Sequence, residues 1–291
     1  MSVPAAYLGI IIIWSTTPLA IQWSSEEVGF LFGVTARMGV AVTLCLILLV
    51  LLRLRLSWTG SEKQSYIASA LGIYGAMICV YWGAQFIPSG LISVVYGLFP
   101  LVTTIMAPLW LKETLWHPGK WVGVTLAIIG LIVIFDPRVQ LDTAILFGVS
   151  GVLASVFLHA MSMLWVKQIG ANVNALKLTT GGLVIAAPLY LITWFVMDGQ
   201  WPTEITFKTG SAILYLGIIG SVVGFFLFYY ALKHLPADAI AITTLITPVT
   251  ALSIGHWVNG EQLTPQIFIG TAIILTGLVF HQWGGRLLKT K

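Results

Sequence analysis

The chain has 291 residues, 58% of them hydrophobic and only 8% charged, and its 14 Lys and Arg against 10 Asp and Glu leave a net charge of +4. A soluble domain carries about 25% charged residues as its skin. This composition therefore excludes a cytosolic enzyme, a nucleic-acid-binding module and a disordered regulator.

A run of roughly 20 mostly apolar residues crosses a ~30 Å hydrocarbon core. Ten such spans are predicted in chain order: 4–22, 28–52, 66–86, 88–110, 119–135, 144–166, 172–197, 210–232, 236–258 and 265–283. Charged or turn-forming clusters separate most of them, such as Ser24-Ser25-Glu26-Glu27, Arg53 to Lys63, and Asp198 to Lys208. Pro4, Pro88, Pro118, Pro236 and Pro265 open spans, where a missing N–H costs nothing. Met1-Ser2-Val3-Pro4 has no basic stretch, so the first run reads as a retained span rather than a signal peptide. Cys45 and Cys79 fall inside apolar runs without a metal-ligand spacing, and they read as small hydrophobes. No metal or other cofactor is expected. The expected surroundings are the lipid bilayer and a small-molecule solute, with no nucleic acid, and the chain is expected as a monomer or a homodimer.

Cations orient the spans. With ten spans, one side holds Arg53, Arg55, Lys63, Lys112, Lys120, Lys167, Lys233, Arg286, Lys289 and Lys291, and the other only Arg138 and Lys208. This bias places both termini on the cytoplasmic side of the membrane.

The two halves repeat. Pro88 and Pro236, Pro100 and Pro248, Glu113 and Glu261, and Tyr81 and Tyr229 are each 148 residues apart. Pro118 and Pro265, Gly123 and Gly270, and Gly130 and Gly277 are each 147 apart. The repeats are read as 1–137 and 138–291, five spans each. An odd number of spans forces the second half to insert upside down. The fold class expected is thus an all-α integral membrane protein, ten transmembrane helices in a 5+5 inverted repeat, which is a signature of secondary transporters.

The ordered set Pro88…Pro100…Lys112-Glu113-Thr114…Pro118…Gly123…Gly130, repeated as Pro236…Pro248…Gly260-Glu261-Gln262…Pro265…Gly270…Gly277, resembles the drug/metabolite transporter superfamily, EamA-like branch. Trp14-Ser15-Thr16-Thr17-Pro18 resembles that family's opening motif, and Arg37 sits where the family often has an arginine. Span 6 departs from the pattern, with Phe157-Leu158-His159 in place of a Trp-containing segment. The resemblance implies export of an amino acid or related metabolite by alternating access across a bacterial cytoplasmic (inner) membrane.

Candidate site residues follow from cost. Pro100 and Pro248 lie mid-span, where proline removes a hydrogen bond and kinks the helix. Kinks at matching depth mark a binding site. Thr103, Thr104, Thr243, Thr244 and Thr247 cluster beside them. Trp14, Tyr81, Trp82, Tyr96, Phe157, Tyr229 and Tyr230 lie deep enough to line a cavity, and Thr17 belongs to the polar run after Trp14. Arg37 is about nine residues into span 2 and faces a bundle interior or water. It either binds an anionic group or caps freed carbonyls. His159 lies well inside a span and could titrate. No carboxylate sits at the predicted midplane. From other classes, Gly148-Val149-Ser150-Gly151 matches the G-x-S-G of intramembrane serine proteases, with His256 or His281 as base, and a channel or receptor remains the third reading.

The cation bias makes a topological prediction. Substituted-cysteine labelling from outside the cell should reach position 208 and not 63 or 291; labelling of all three would sink the ten-span order.

Overall fold

The computed structural model describes residues 3–111, 118–134, 143–234 and 237–287. Among them every regular element is helical. The Lys112-Glu113-Thr114 motif, Arg138, Pro236, Lys289 and Lys291 lie outside the described residues.

Ten helices follow the ten apolar runs. The first repeat holds α1 (Val3–Trp23), α2 (Phe30–Leu51), α3 (Gly60–Gly83), α4 (Ser89–Leu111) and α5 (Pro118–Ile134). The second holds α6 (Thr143–Ile169), α7 (Ala175–Met197), α8 (207–234), α9 (Ala237–Asn259) and α10 (Pro265–Leu287). Helix α3 starts six residues before the expected span. Its first turn, Gly60-Ser61-Glu62-Lys63, is polar, and the Tyr66 hydroxyl donates to Glu62 Oε2 at 3.1 Å. The helix therefore continues past the apolar run into water.

Two departures from regular helix recur at matching places. Leu71–Ala76 in α3 and Leu216–Val223 in α8 are π-helical. Such segments cluster at functional sites. The carbonyls around the first one find side chains on neighbouring helices. Ser162 Oγ donates to Ala68 O at 2.7 Å, Ser155 Oγ to Ala76 O at 2.6 Å, and the Tyr190 hydroxyl to Ile73 O. Helix α4 is broken rather than kinked. It runs Ser89–Tyr96, turns at Gly97-Leu98, and resumes at Phe99–Leu111, so Pro100 sits in the first turn of the second piece. There its missing N–H is tolerated.

The packing is two-fold symmetric. Helices α2 and α7, α4 and α9, and α5 and α10 each pack on their own counterpart. Helix α1 packs on α8 and α9, and α6 packs on α3 and α4. Exchanging every helix for its counterpart reproduces this set. The glycines of α5 and α10 fix the sense of the symmetry. A Cβ on Gly123 would lie 2.6 Å from Gly277 O, and one on Gly130 would lie 2.7 Å from Gly270 O. Because Gly123 corresponds to Gly270 and Gly130 to Gly277, each glycine meets the counterpart of the other glycine on its own helix. The two helices cross antiparallel, backbone on backbone, as small residues allow in lipid. Outward-facing side chains are apolar, as with Val50 and Phe195, each 76% exposed.

One end of the bundle is laced between the repeats. Lys208 Nζ pairs with Glu26 at 2.7 Å, and Trp23 Nε1 donates to Asn259 Oδ1 at 3.0 Å. Glu261 accepts from the N–H groups of Ser89 at 3.1 Å and Gly90 at 3.2 Å. It thereby caps the start of α4, where a carboxylate complements the helix dipole. Glu27 accepts from the Thr206 N–H at 3.3 Å and from Thr209 Oγ1 at 3.2 Å.

Two predictions follow. Gly130→Ala forces the α5–α10 crossing apart and should destabilise by about 1–3 kcal/mol, read as a lower thermal midpoint in detergent. Gly39→Ala, whose Cβ meets nothing within 4 Å, should be neutral or raise the midpoint. Equal effects would show that the crossing is not tight. The Thr206 hydrogen bond holds the Glu27 carboxyl below the usual carboxylate range, with Thr209 and Lys208 adding to it. A carboxyl depressed on folding stabilises above its unfolded value and loses that contribution as pH falls through the folded one. The midpoint difference between the unaltered chain and Glu27→Gln should thus close on acidification from pH 7 to 3, and a constant difference would contradict it.

Candidate functional site

A cavity of about 120 Å³ lies where the two repeats meet. The first repeat contributes Trp14, Thr17, Pro18 and Ile21 from α1, Arg37 from α2, Met77 and Val80 from α3, and Ile92, Ser93, Tyr96 and Phe99 around the break in α4. The second contributes His159 from α6, Gly220, Phe225 and Phe228 from α8, and Thr244 and Thr247 from α9.

Helix breakers shape the wall. A proline has no N–H to give to the carbonyl four residues back. For Pro18, Pro100 and Pro248 those carbonyls belong to Trp14, Tyr96 and Thr244, and all three residues line the cavity. Pro248 also touches the α4 break, since a Cβ on Gly97 would meet its Cγ at 3.6 Å. The backbone irregularities of both repeats therefore converge on one space. In a membrane, irregular backbone is tolerated where it lines a cavity or is buried in protein.

Arg37 is the sole charged residue among the lining residues, and it is 2% exposed. Its Nε donates to Ser221 Oγ at 2.9 Å, and its Nη1 lies 3.4 Å from the Tyr81 hydroxyl. Gly220 lies beside it: a Cβ there would stand 3.4 Å from Nη2, an ordinary contact. Among the described residues no carboxylate pairs with it. The opposite wall is aromatic. His159 is boxed by Phe99, Phe228 and Tyr96 at ring distances of 5.8, 6.3 and 6.4 Å, and Trp14 meets Phe228 at 5.7 Å. His159 Nδ1 is buried there without a hydrogen-bond partner.

Of the candidates read from sequence, Trp14, Thr17, Arg37, Tyr96, His159, Thr244 and Thr247 come together on the cavity wall. Tyr81 stands behind Arg37 and holds its guanidinium. Others lie apart. Phe157 points outward, 50% exposed. Thr103 Oγ1 bonds back to Phe99 O at 2.7 Å, and the Tyr229 hydroxyl joins Ser69 Oγ at 2.9 Å. Thr243 is buried outside the lining set. Pro100 and Pro248 shape the wall without lining it. Sequence reasoning missed Ser221, Phe225 and Phe228, all within or just after the π segment of α8. Ser150 does not meet a histidine: its Oγ donates to Phe147 O at 2.9 Å, and His256 Nδ1 lies against Glu261 O at 2.9 Å.

The EamA-like transporter family matches residues 3–136 and again 146–281. An "uncharacterized transporter" of Archaeoglobus fulgidus is 27% identical over 269 residues, spanning 91% of this chain and 93% of that one. A "probable amino-acid metabolite efflux pump" of Escherichia coli is 24% identical over 210 residues, 69% of this chain and 70% of that one. A solved crystal structure superposes with a TM-score of 0.71 at 16% identity over 99% of each chain, a likeness of fold alone.

Proposed function

The chain belongs to the EamA-like transporter family, and from that premise we propose that it is a secondary carrier moving a small organic solute by alternating access through the cavity between its repeats. The membrane transporter is the family's; the cavity is the observation that carries the rest. A wall assembled from two interchangeable halves can present the same residues to either side of the membrane when the halves exchange conformations. The laced end, with its Glu26–Lys208 and Trp23–Asn259 contacts between repeats, is the gate that must part on one side. The cation distribution supports this gate at the outer face of a cytoplasmic membrane, with both termini inside. The Escherichia coli relative's name supports an amino-acid-related metabolite as cargo and export as direction.

The test is metabolite profiling, inside and outside, of cells with and without the chain. One solute, or one related group, should redistribute saturably; flux proportional to concentration would mark a channel. For the solute so identified, Trp14→Ala should raise the apparent KM several-fold, because a lost ring contact costs on the order of 0.5–1.5 kcal/mol beyond area. Trp121, 50% exposed on the outside of α5, is the control, and its alanine variant should transport normally. An unchanged KM in the Trp14 variant would place α1 outside the pathway.

A further inference from the structure

Resting on the carrier reading, we propose that the cargo is a monocarboxylate with an apolar or aromatic body and no free ammonium group, held by its carboxylate on Arg37. The inference comes from the charge of the cavity. Arg37 lies seven residues past Phe30, about 10 Å along α2, and among the described residues its wall holds no carboxylate and no second cation. Its guanidinium has five N–H donors in a planar fork. Ser221 and Tyr81 occupy the Nε and one Nη1 direction, which leaves donors for an arriving acceptor. A guanidinium matches a carboxylate in bidentate geometry.

Net charge then selects among ligands. An isolated buried charge is costly in a membrane interior, and an opposite charge relieves it. A monocarboxylate brings the site to zero. A zwitterionic amino acid leaves it at plus one, with an ammonium that meets hydroxyls and carbonyls but no counter-charge. A dianion such as a phosphomonoester leaves it at minus one and needs a second cation that the wall lacks. The remaining polarity is neutral. The carbonyls of Trp14 and Tyr96 sit behind prolines, and His159 Nδ1 has no partner. These groups suit a hydroxyl or an amide N–H on the cargo. Phe99, Phe228 and Trp14 supply the surface for its body. Among amino-acid metabolites, the class is one whose nitrogen has been removed or acylated.

The test uses the full chain in detergent and four probes with one ring: 3-phenylpropanoate, phenylalanine, 3-phenylpropylamine and 3-phenylpropanol, titrated calorimetrically at pH 7. The propanoate should bind about tenfold or more tighter than the other three, the worth of a charge-assisted hydrogen-bonded contact. Arg37→Gln should bring it down to the level of the alcohol, and Arg37→Lys should keep part of the preference. Tighter binding of phenylalanine or the amine, a preference that survives Arg37→Gln, or binding of none of the four would each overturn the proposal. Should Arg37→Gln not give monodisperse protein, the order of the four probes on the unaltered chain decides alone. The profiling experiment separates the two levels: no redistributed solute defeats the carrier, whereas a redistributed zwitterion or cation defeats only the monocarboxylate.

Discussion

In hydrocarbon a backbone carbonyl without an N–H partner has no water to turn to, and each such group costs several kcal/mol. Ten apolar runs answer this by becoming ten helices. The informative places are those where the helix fails. Around the π segment of α3, Ser155, Ser162 and Tyr190 reach across from α6 and α7 to take the carbonyls of Ala76, Ala68 and Ile73. These contacts position the helices that carry Met77, Val80 and His159 into the cavity wall. Where a proline removes the N–H four residues on, at Trp14, Tyr96 and Thr244, the residues border the cavity instead. One constraint thus sorts the irregularities into those that bind helices together and those that border the cavity.

The second determinant is close backbone approach. Gly123 against Gly277 and Gly130 against Gly270 let α5 and α10 meet with no side chain between them. At the laced end the links between repeats are polar. Glu261 reaches from beyond α9 to the first N–H groups of α4, and Lys208 reaches from α8 to Glu26. Dispersion between backbones is insensitive to water, whereas exposed ion pairs contribute little and exchange readily with it. The α5–α10 pair is therefore suited to persist while the laced end opens.

Much of this was legible in the sequence. Proline and glycine at fixed offsets gave the repeat, and a single arginine in an apolar run announced its own importance because such a charge is expensive. What could not be read was which way a side chain points on a helix that is apolar all round. Phe157 and His159 are two residues apart on α6, yet one faces outward and the other lines the cavity. No polar stripe distinguishes their faces, because lipid and core are both apolar. Ser221, Phe225 and Phe228 were missed for another reason. The wider turn of Leu216–Val223 shifts the register of everything after it, so a 3.6-residue period carried across α8 assigns the wrong face. Pro100 was visible, but whether the chain kinks there or breaks at Gly97-Leu98 depends on how Pro248 of the other repeat packs against it.

Symmetry and function pull in different directions here. The framework obeys the two-fold: π segments in α3 and α8, antiparallel glycines in α5 and α10, Tyr81 and Tyr229 at one offset. The cavity does not. Arg37 projects from α2, while its counterpart α7 brings Lys177 near its first turn and glycines at 181 and 182, where Tyr66 and Ser69 of α3 press in. The tyrosines diverge likewise, Tyr81 on the guanidinium and Tyr229 on Ser69. A perfectly symmetric site would hold two arginines facing each other, a like-charge pair that no single cargo carboxylate could neutralise. Alternating access requires only that the helices exchange roles. The charge that holds a ligand can sit on one half, and burying it demands that the other half stay neutral and apolar, as His159, Phe225 and Phe228 do.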